Sequence, residues 1–288
     1  MPRLAQSIFT SRRVGVELGL RRPESLRRRP REARRSSPLH SIYLRPVLVA
    51  FPHSTSALAC LTIVLMPRPP FLTFEGTEGC GKSTQVQRLA ARYEAAGIPF
   101  LVTREPGGTP IGETIRELLQ FAPQSSGMTP ETELLLFEAS RSQLVREVIK
   151  PALARGQSVI ADRFFDSTTA YQGAARKLDL QVVAALNEFA VGDCIPDVTF
   201  ILDVDTATAQ ARMQKPRRPD RMEQQPAEFY EHVRQAYRAL AAREPKRVVL
   251  IDGSRSVETI ADEIWMILKS RFPELANQSA IRDPQSAI

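Results

Sequence analysis

From residue 71 onward, short apolar runs alternate with longer stretches in which apolar positions recur every three or four residues. Residues 71–74, 98–102, 158–161, 198–204 and 247–251 are compact runs rich in Val, Ile and Phe, which predicts buried strands. After Ser83, Val86, Leu89, Ala90 and Tyr93 fall on one helical face. Thr109 is placed to cap a helix carrying Ile115, Leu118 and Leu119. Residues 129–155 predict a long helix through Leu134, Leu135, Phe137, Leu144, Val145 and Val148, kinked at Pro151 and ended by Gly156. Further helices are predicted over 180–191, 206–213, 229–242 and 257–272, the last with Ile260, Ile264, Ile267 and Leu268 inward. Strands alternating with helices predict an α/β fold: a parallel five-stranded sheet flanked by helices on both faces. Ligands in such sheets bind at the C-terminal ends of the strands, where Glu75, Arg104 and Asp162 stand.

Residues 71–84 read FLTFEGTEGCGKST, and Gly76, Gly81, Lys82 and Ser83 complete G-x-x-x-x-G-K-[ST] between a strand and a helix start. That context separates a phosphate-binding loop from a chance match. Glycines let the backbone wrap phosphate oxygens with successive N–H groups, and the helix N-terminus adds unpaired donors. Gly76, Thr77, Glu78, Gly79, Cys80, Gly81, Lys82, Ser83 and Thr84 are therefore the candidate contacts to ATP. Lys82 can reach the outer phosphates, and the Ser83 hydroxyl can ligate Mg²⁺. Asp162 ends an apolar strand, where enzymes with this loop keep the acid that holds the metal.

Charge changes the picture mainly by its distribution. Residues 1–65 hold 12 Arg, no Lys and three Glu, a balance of +9, against +7 for the whole chain, so the remainder is slightly acidic at −2. The core shows no need for nucleic acid, and the basic character belongs to an Arg/Pro-rich leader, residues 1–66, read as disordered or not translated. Translation starting at Met66 is the favoured reading; an organelle transit peptide is the other. The ten-residue apolar patch at 57–66 is too short for a bilayer, which needs roughly 20 residues. The phosphate-loop domain is assigned to 67–273 and a polar tail to 274–288. Cys60, Cys80 and Cys194 have no metal or disulfide spacing, which points to a reducing, cytoplasmic setting.

Arg163 follows Asp162, and Arg104 ends the second strand; two guanidinium forks beside a triphosphate site suggest a second phosphate. Phe137 and Arg141 stand one helical turn apart, an aromatic face and a donor suited to a base, although a phenylalanine so placed more often belongs to a core. Residues 166–173, with Thr168, Tyr171 and Gln172, form a polar rim or an ordinary capped helix. Arg217 and Arg218 lie in a Pro-flanked loop able to bring charge to a transferring phosphoryl group.

The strings FEGTEGCGKST, TREPGGT, LFEASR, DRFFDSTTAYQG, PDVTFILDV and DRME occur in this order, and together they resemble bacterial thymidylate kinases over residues 71–272. The resemblance implies phosphorylation of dTMP to dTDP by ATP and Mg²⁺, in a homodimer. It places Glu78 near the deoxyribose 3′-OH, Arg104 and Arg163 on the acceptor phosphate, and Phe137 stacked on thymine. By the same resemblance Arg141 donates to O4, Thr168 and Gln172 border the base, and Tyr171 packs where a ribose 2′-OH would project. Family members carry a catalytic arginine either in the phosphate loop or in the lid; here the loop position is Gly79, so Arg217 or Arg218 is expected to supply it. Two alternatives stay open: a nucleotide kinase with another acceptor, and a nucleotide switch whose leader binds nucleic acid.

Overall fold

The computed structural model describes residues 43–46, 63–66, 68–213, 221–222 and 224–275. Arg217 and Arg218, most of the leader and nearly all of the C-terminal tail lie outside these residues. Within the leader, strands β1 (Tyr43–Pro46) and β2 (Ile63–Met66) pair antiparallel, Tyr43 opposite Met66.

β3 (Phe71–Glu75) is the central strand of a five-stranded parallel sheet. Its partners are β4 (Phe100–Arg104), β5 (Ser158–Asp162), β6 (Val198–Asp203) and β7 (Val248–Asp252), in the order β4-β5-β3-β6-β7. β4 starts two residues later than its apolar run. Ile98 N–H closes the turn onto the Tyr93 carbonyl, and Pro99 contributes only its carbonyl, which accepts from Ser158 N–H.

The helices are α1 (Lys82–Ala95), α2 (Pro110–Gln120), α3 (Pro130–Leu144), α4 (Lys150–Ala154), α5 (Phe165–Thr168), α6 (Leu180–Val191), α7 (Thr206–Met213), α8 (Ala227–Arg243) and α9 (Val257–Arg271). The long helix expected over 129–155 is realised as α3 and α4 joined by a π turn, Val145–Ile149. Pro151 lacks an N–H and its ring crowds the carbonyl four residues back, so the ladder widens just before it. A second π turn, Thr169–Ala175, extends α5.

Successive residues of β3 point to opposite faces. Leu72 and Phe74 join Phe200 and Leu202 under Val86, Leu89 and Tyr93 of α1 and Ile260, Ile264 and Leu268 of α9. Phe71, Val159 and Ala161 pack on the other face with Leu144, Val145, Ile149, Leu153 and Val191. Beside them Ile201 and Val248 meet Tyr171, Phe229, Val233 and Tyr237. Both faces are covered, which is why the strands read as continuous apolar runs. Ile267 is only partly buried, at the margin of the first cluster.

Candidate active site

The phosphate loop leaves β3 at Glu75 and enters α1 at Lys82. Glycines at 76, 79 and 81 hold φ of 134°, 75° and 100°, conformations that L side chains resist. A Cβ on Gly79 would also lie 2.3 Å from the Ala209 carbonyl oxygen of α7. This loop position therefore has no room for an arginine. No side chain caps α1, whose N-cap is Gly81, so its first N–H groups point at the loop. Lys82, nearly buried, donates from Nζ to the Gly76 and Thr77 carbonyls at 3.0 and 2.8 Å. Ser83 Oγ donates to Asp162 Oδ2 at 2.6 Å, which joins the two expected metal ligands across the strand ends.

Glu75 is fully buried beneath the loop. Its carboxylate accepts from Phe164 N–H (2.7 Å), Ser167 Oγ (2.6 Å) and Tyr237 Oη (2.7 Å). Burial, and then the charge of Asp166, push its pKa up. Arg163 adopts φ of 72°, a strain of about 1–3 kcal/mol for a side-chain-bearing residue. Its guanidinium donates to Gly76 O (3.1 Å), Glu78 Oε1 (2.8 Å) and Tyr171 Oη (3.2 Å). Tyr171 Oη in turn donates to Glu78 Oε2 at 2.7 Å, and burial holds its phenol protonated.

One cavity of about 740 Å³ runs from residues 78–85 of the loop and α1 past Asp162 and Arg163 to Arg104, Phe137, Thr168, Tyr171 and Gln172. Phe137 belongs to none of the core clusters. Arg104 is half exposed and held bidentately by Glu113 at 3.0 and 2.9 Å.

Arg141, expected to face a base, does not line this cavity. It is 1% exposed. Nε and Nη2 donate to Glu105 at 2.9 and 2.6 Å, and Nη1 donates to Glu138 (2.5 Å) and Thr168 Oγ1 (2.9 Å). It stands behind Thr168, because two carboxylates draw the guanidinium inward. Burial, more than Arg141 offsets it, pushes the Glu105 carboxyl up to about 7.

Motif reading passed over Arg116, Arg212 and Arg255, which also line the cavity. It also missed Glu133, a carboxylate buried beneath Gln172. Its signal was its spacing: Glu133, Phe137, Arg141 and Leu144 share one helical face, where a charge needs partners. Among the described residues no group of three or more His, Cys, Asp and Glu could cage a metal, and no helix is long and apolar enough to cross a membrane.

The family model for thymidylate kinase matches residues 74–264. A thymidylate kinase of Fervidobacterium nodosum is 49% identical over 200 residues, covering 69% of this chain and 98% of its own length. That of Kosmotoga olearia is 47% identical over 194 residues, 67% of this chain and 92% of its own. The solved thymidylate kinase of Ehrlichia chaffeensis shares 36% identity, with a TM-score of 0.57 over 70% of this chain and 99% of that one. The matched region runs from β3 into α9 and so contains the phosphate loop and every wall of the cavity that the described residues form up to Ile264. On that agreement of motif, fold and relatives, the chain belongs to the thymidylate kinase family.

Proposed function

We propose that this one continuous cavity binds ATP at the phosphate loop and dTMP at its far end, aligned for direct transfer of the γ-phosphoryl group to give ADP and dTDP. The observation that carries this reading is that loop residues 78–85 and the rim of Phe137, Thr168, Tyr171 and Gln172 border the same space. Alignment and charge neutralisation supply nearly all the catalysis in such a transfer, with no covalent intermediate. Lys82 and Arg163 neutralise charge on the moving group. Arg217 and Arg218, outside the described residues, are the proposed source of the further catalytic arginine, which Gly79 and its α7 neighbour exclude from the loop.

Ser83 and Asp162 fit a Mg²⁺ ion: both offer hard oxygen donors, and a nucleotide-bound Mg²⁺ takes only one or two protein ligands. Bound there, the ion would neutralise phosphate charge. Phe137 offers its face to the base, and Tyr171, fixed by Glu78, bars a ribose 2′-OH by bulk. Arg104 serves the acceptor phosphate by exchanging its Glu113 partner for it. Arg141 acts on the base site through Thr168. The protein works in the cytoplasm as a homodimer, without nucleic acid or membrane.

ADP release with dTMP, dUMP, UMP and CMP tests the reading. The expected order is dTMP, modestly ahead of dUMP because one methyl contributes about 1 kcal/mol, and both far ahead of UMP and CMP. Equal rates with all four acceptors would overturn the assignment of the acceptor site.

A further inference from the structure

We propose that Glu133, which does not line the cavity, sets the choice of pyrimidine by locking the side-chain amide of Gln172 in one orientation. The proposal rests on the thymidylate kinase reading of the cavity. Gln172 lies in the π turn after α5 and lines the cavity beside Thr168 and Phe137. Its Nε2 donates to Glu133 Oε1 at 2.6 Å. The two ends of an amide are distinguished by their partners. Here the partner is a carboxylate on which two guanidinium groups converge. Arg176 reaches it through Nε (3.3 Å) and Nη2 (3.2 Å), and Arg221 Nη2 lies 2.5 Å from Oε2. A carboxylate held by two cations only accepts, so the amide must turn its NH₂ end toward it.

The carbonyl Oε1 is then the end of Gln172 available to a ligand. A hydrogen-bond acceptor at the edge of a stacked pyrimidine selects a ring N–H. Thymine and uracil carry a hydrogen on N3; cytosine presents a lone pair there. Gln172 thus favours dTMP and dUMP and opposes dCMP.

Glu133 cannot follow if the amide turns over. It is 1% exposed, and Arg176 is itself held by Gln225 at 2.8 Å and lies over the Phe229 ring at 4.8 Å. Arg221 is fixed by Nε to the Leu119 carbonyl at 2.9 Å. Reversing the amide would set Oε1 against the carboxylate and leave both without a proton to share.

The test compares kcat/KM for dTMP, dUMP and dCMP in the wild-type chain, Glu133→Gln and Glu133→Asp. Glutamine at 133 both donates and accepts, so it tolerates either orientation of Gln172. Glu133→Gln is expected to narrow the dTMP/dCMP ratio by ~10-fold or more, chiefly through a lower KM for dCMP. Glu133→Asp keeps the charge and is expected to keep the ratio, whatever it loses in overall rate. A fall in kcat/KM by the same factor for all three acceptors would reduce Glu133 to a structural support and overturn the proposal. If Glu133→Gln does not fold, Gln172→Leu decides: loss of dTMP/dCMP discrimination supports the proposal, and an unchanged ratio sinks it. A wild-type chain that does not phosphorylate dTMP would instead overturn the underlying reading.

Discussion

At the scale of single residues, the proposed function separates groups assigned to phosphate from groups that hold them in place. Lys82 belongs to the first kind, with its ammonium already oriented by the Gly76 and Thr77 carbonyls. Lys82→Ala is expected to lower kcat on the order of a hundredfold or more, measured as ADP release at saturating dTMP. Near-normal turnover would remove the phosphate loop from the mechanism. Glu105 belongs to the second kind. Its pKa rises from the usual 4.5 to about 7, so between those pH values the folded chain holds a proton that the unfolded chain has lost. Its contribution to stability therefore falls as pH rises through that window. At 1.36 kcal/mol per pKa unit the loss is ~3 kcal/mol at most. Denaturant titrations at pH 5 and pH 7.5 should show a smaller drop in Glu105→Gln than in the wild type. Equal drops would place the titrating group elsewhere.

At the scale of elements, two helices carry apolar residues that the core does not use. Val182, Ala185 and Phe189 form a stripe along α6, and Leu135 and Ala139 form another along α3, all exposed, with Phe189 at 78%. The two helices pack against each other, so the two stripes belong to neighbouring elements. An apolar face of this kind is the natural seat of the proposed homodimer contact. Phe189→Glu is expected to shift the protein to monomer in sedimentation or light-scattering measurements while leaving far-UV circular dichroism unchanged. A dimer that survives the charge would move the interface to another face. The π turns belong to this scale too. The turn at Val145–Ile149 answers Pro151, while the one at Thr169–Ala175 carries Tyr171 and Gln172, two residues of the cavity rim.

At the scale of the whole molecule, the basic leader and the slightly acidic remainder are distinct in charge, and the matches to relatives fall on about 70% of the chain. A protein starting at Met66 is expected to fold, dimerise and turn over dTMP like the full chain; loss of solubility or activity would show that residues 1–65 support the core. The sheet, its helices and the phosphate loop were legible in the sequence because each is local. Alternating faces, a 3.6-residue period and glycines at fixed spacing depend on neighbours along the chain. Boundaries slipped by a residue or two where Pro99 and Pro226 reset the hydrogen bonding. The far wall of the cavity was legible only in part. Phe137, Thr168 and Gln172 line the cavity, while the position of Arg141 turned on Glu105, 36 residues away, and that of Gln172 on Glu133, 39 residues away. Partners that distant in the chain leave no periodic trace. Which end of an amide or guanidinium faces a ligand is decided by the charges that folding packs behind it, and those meet only in three dimensions.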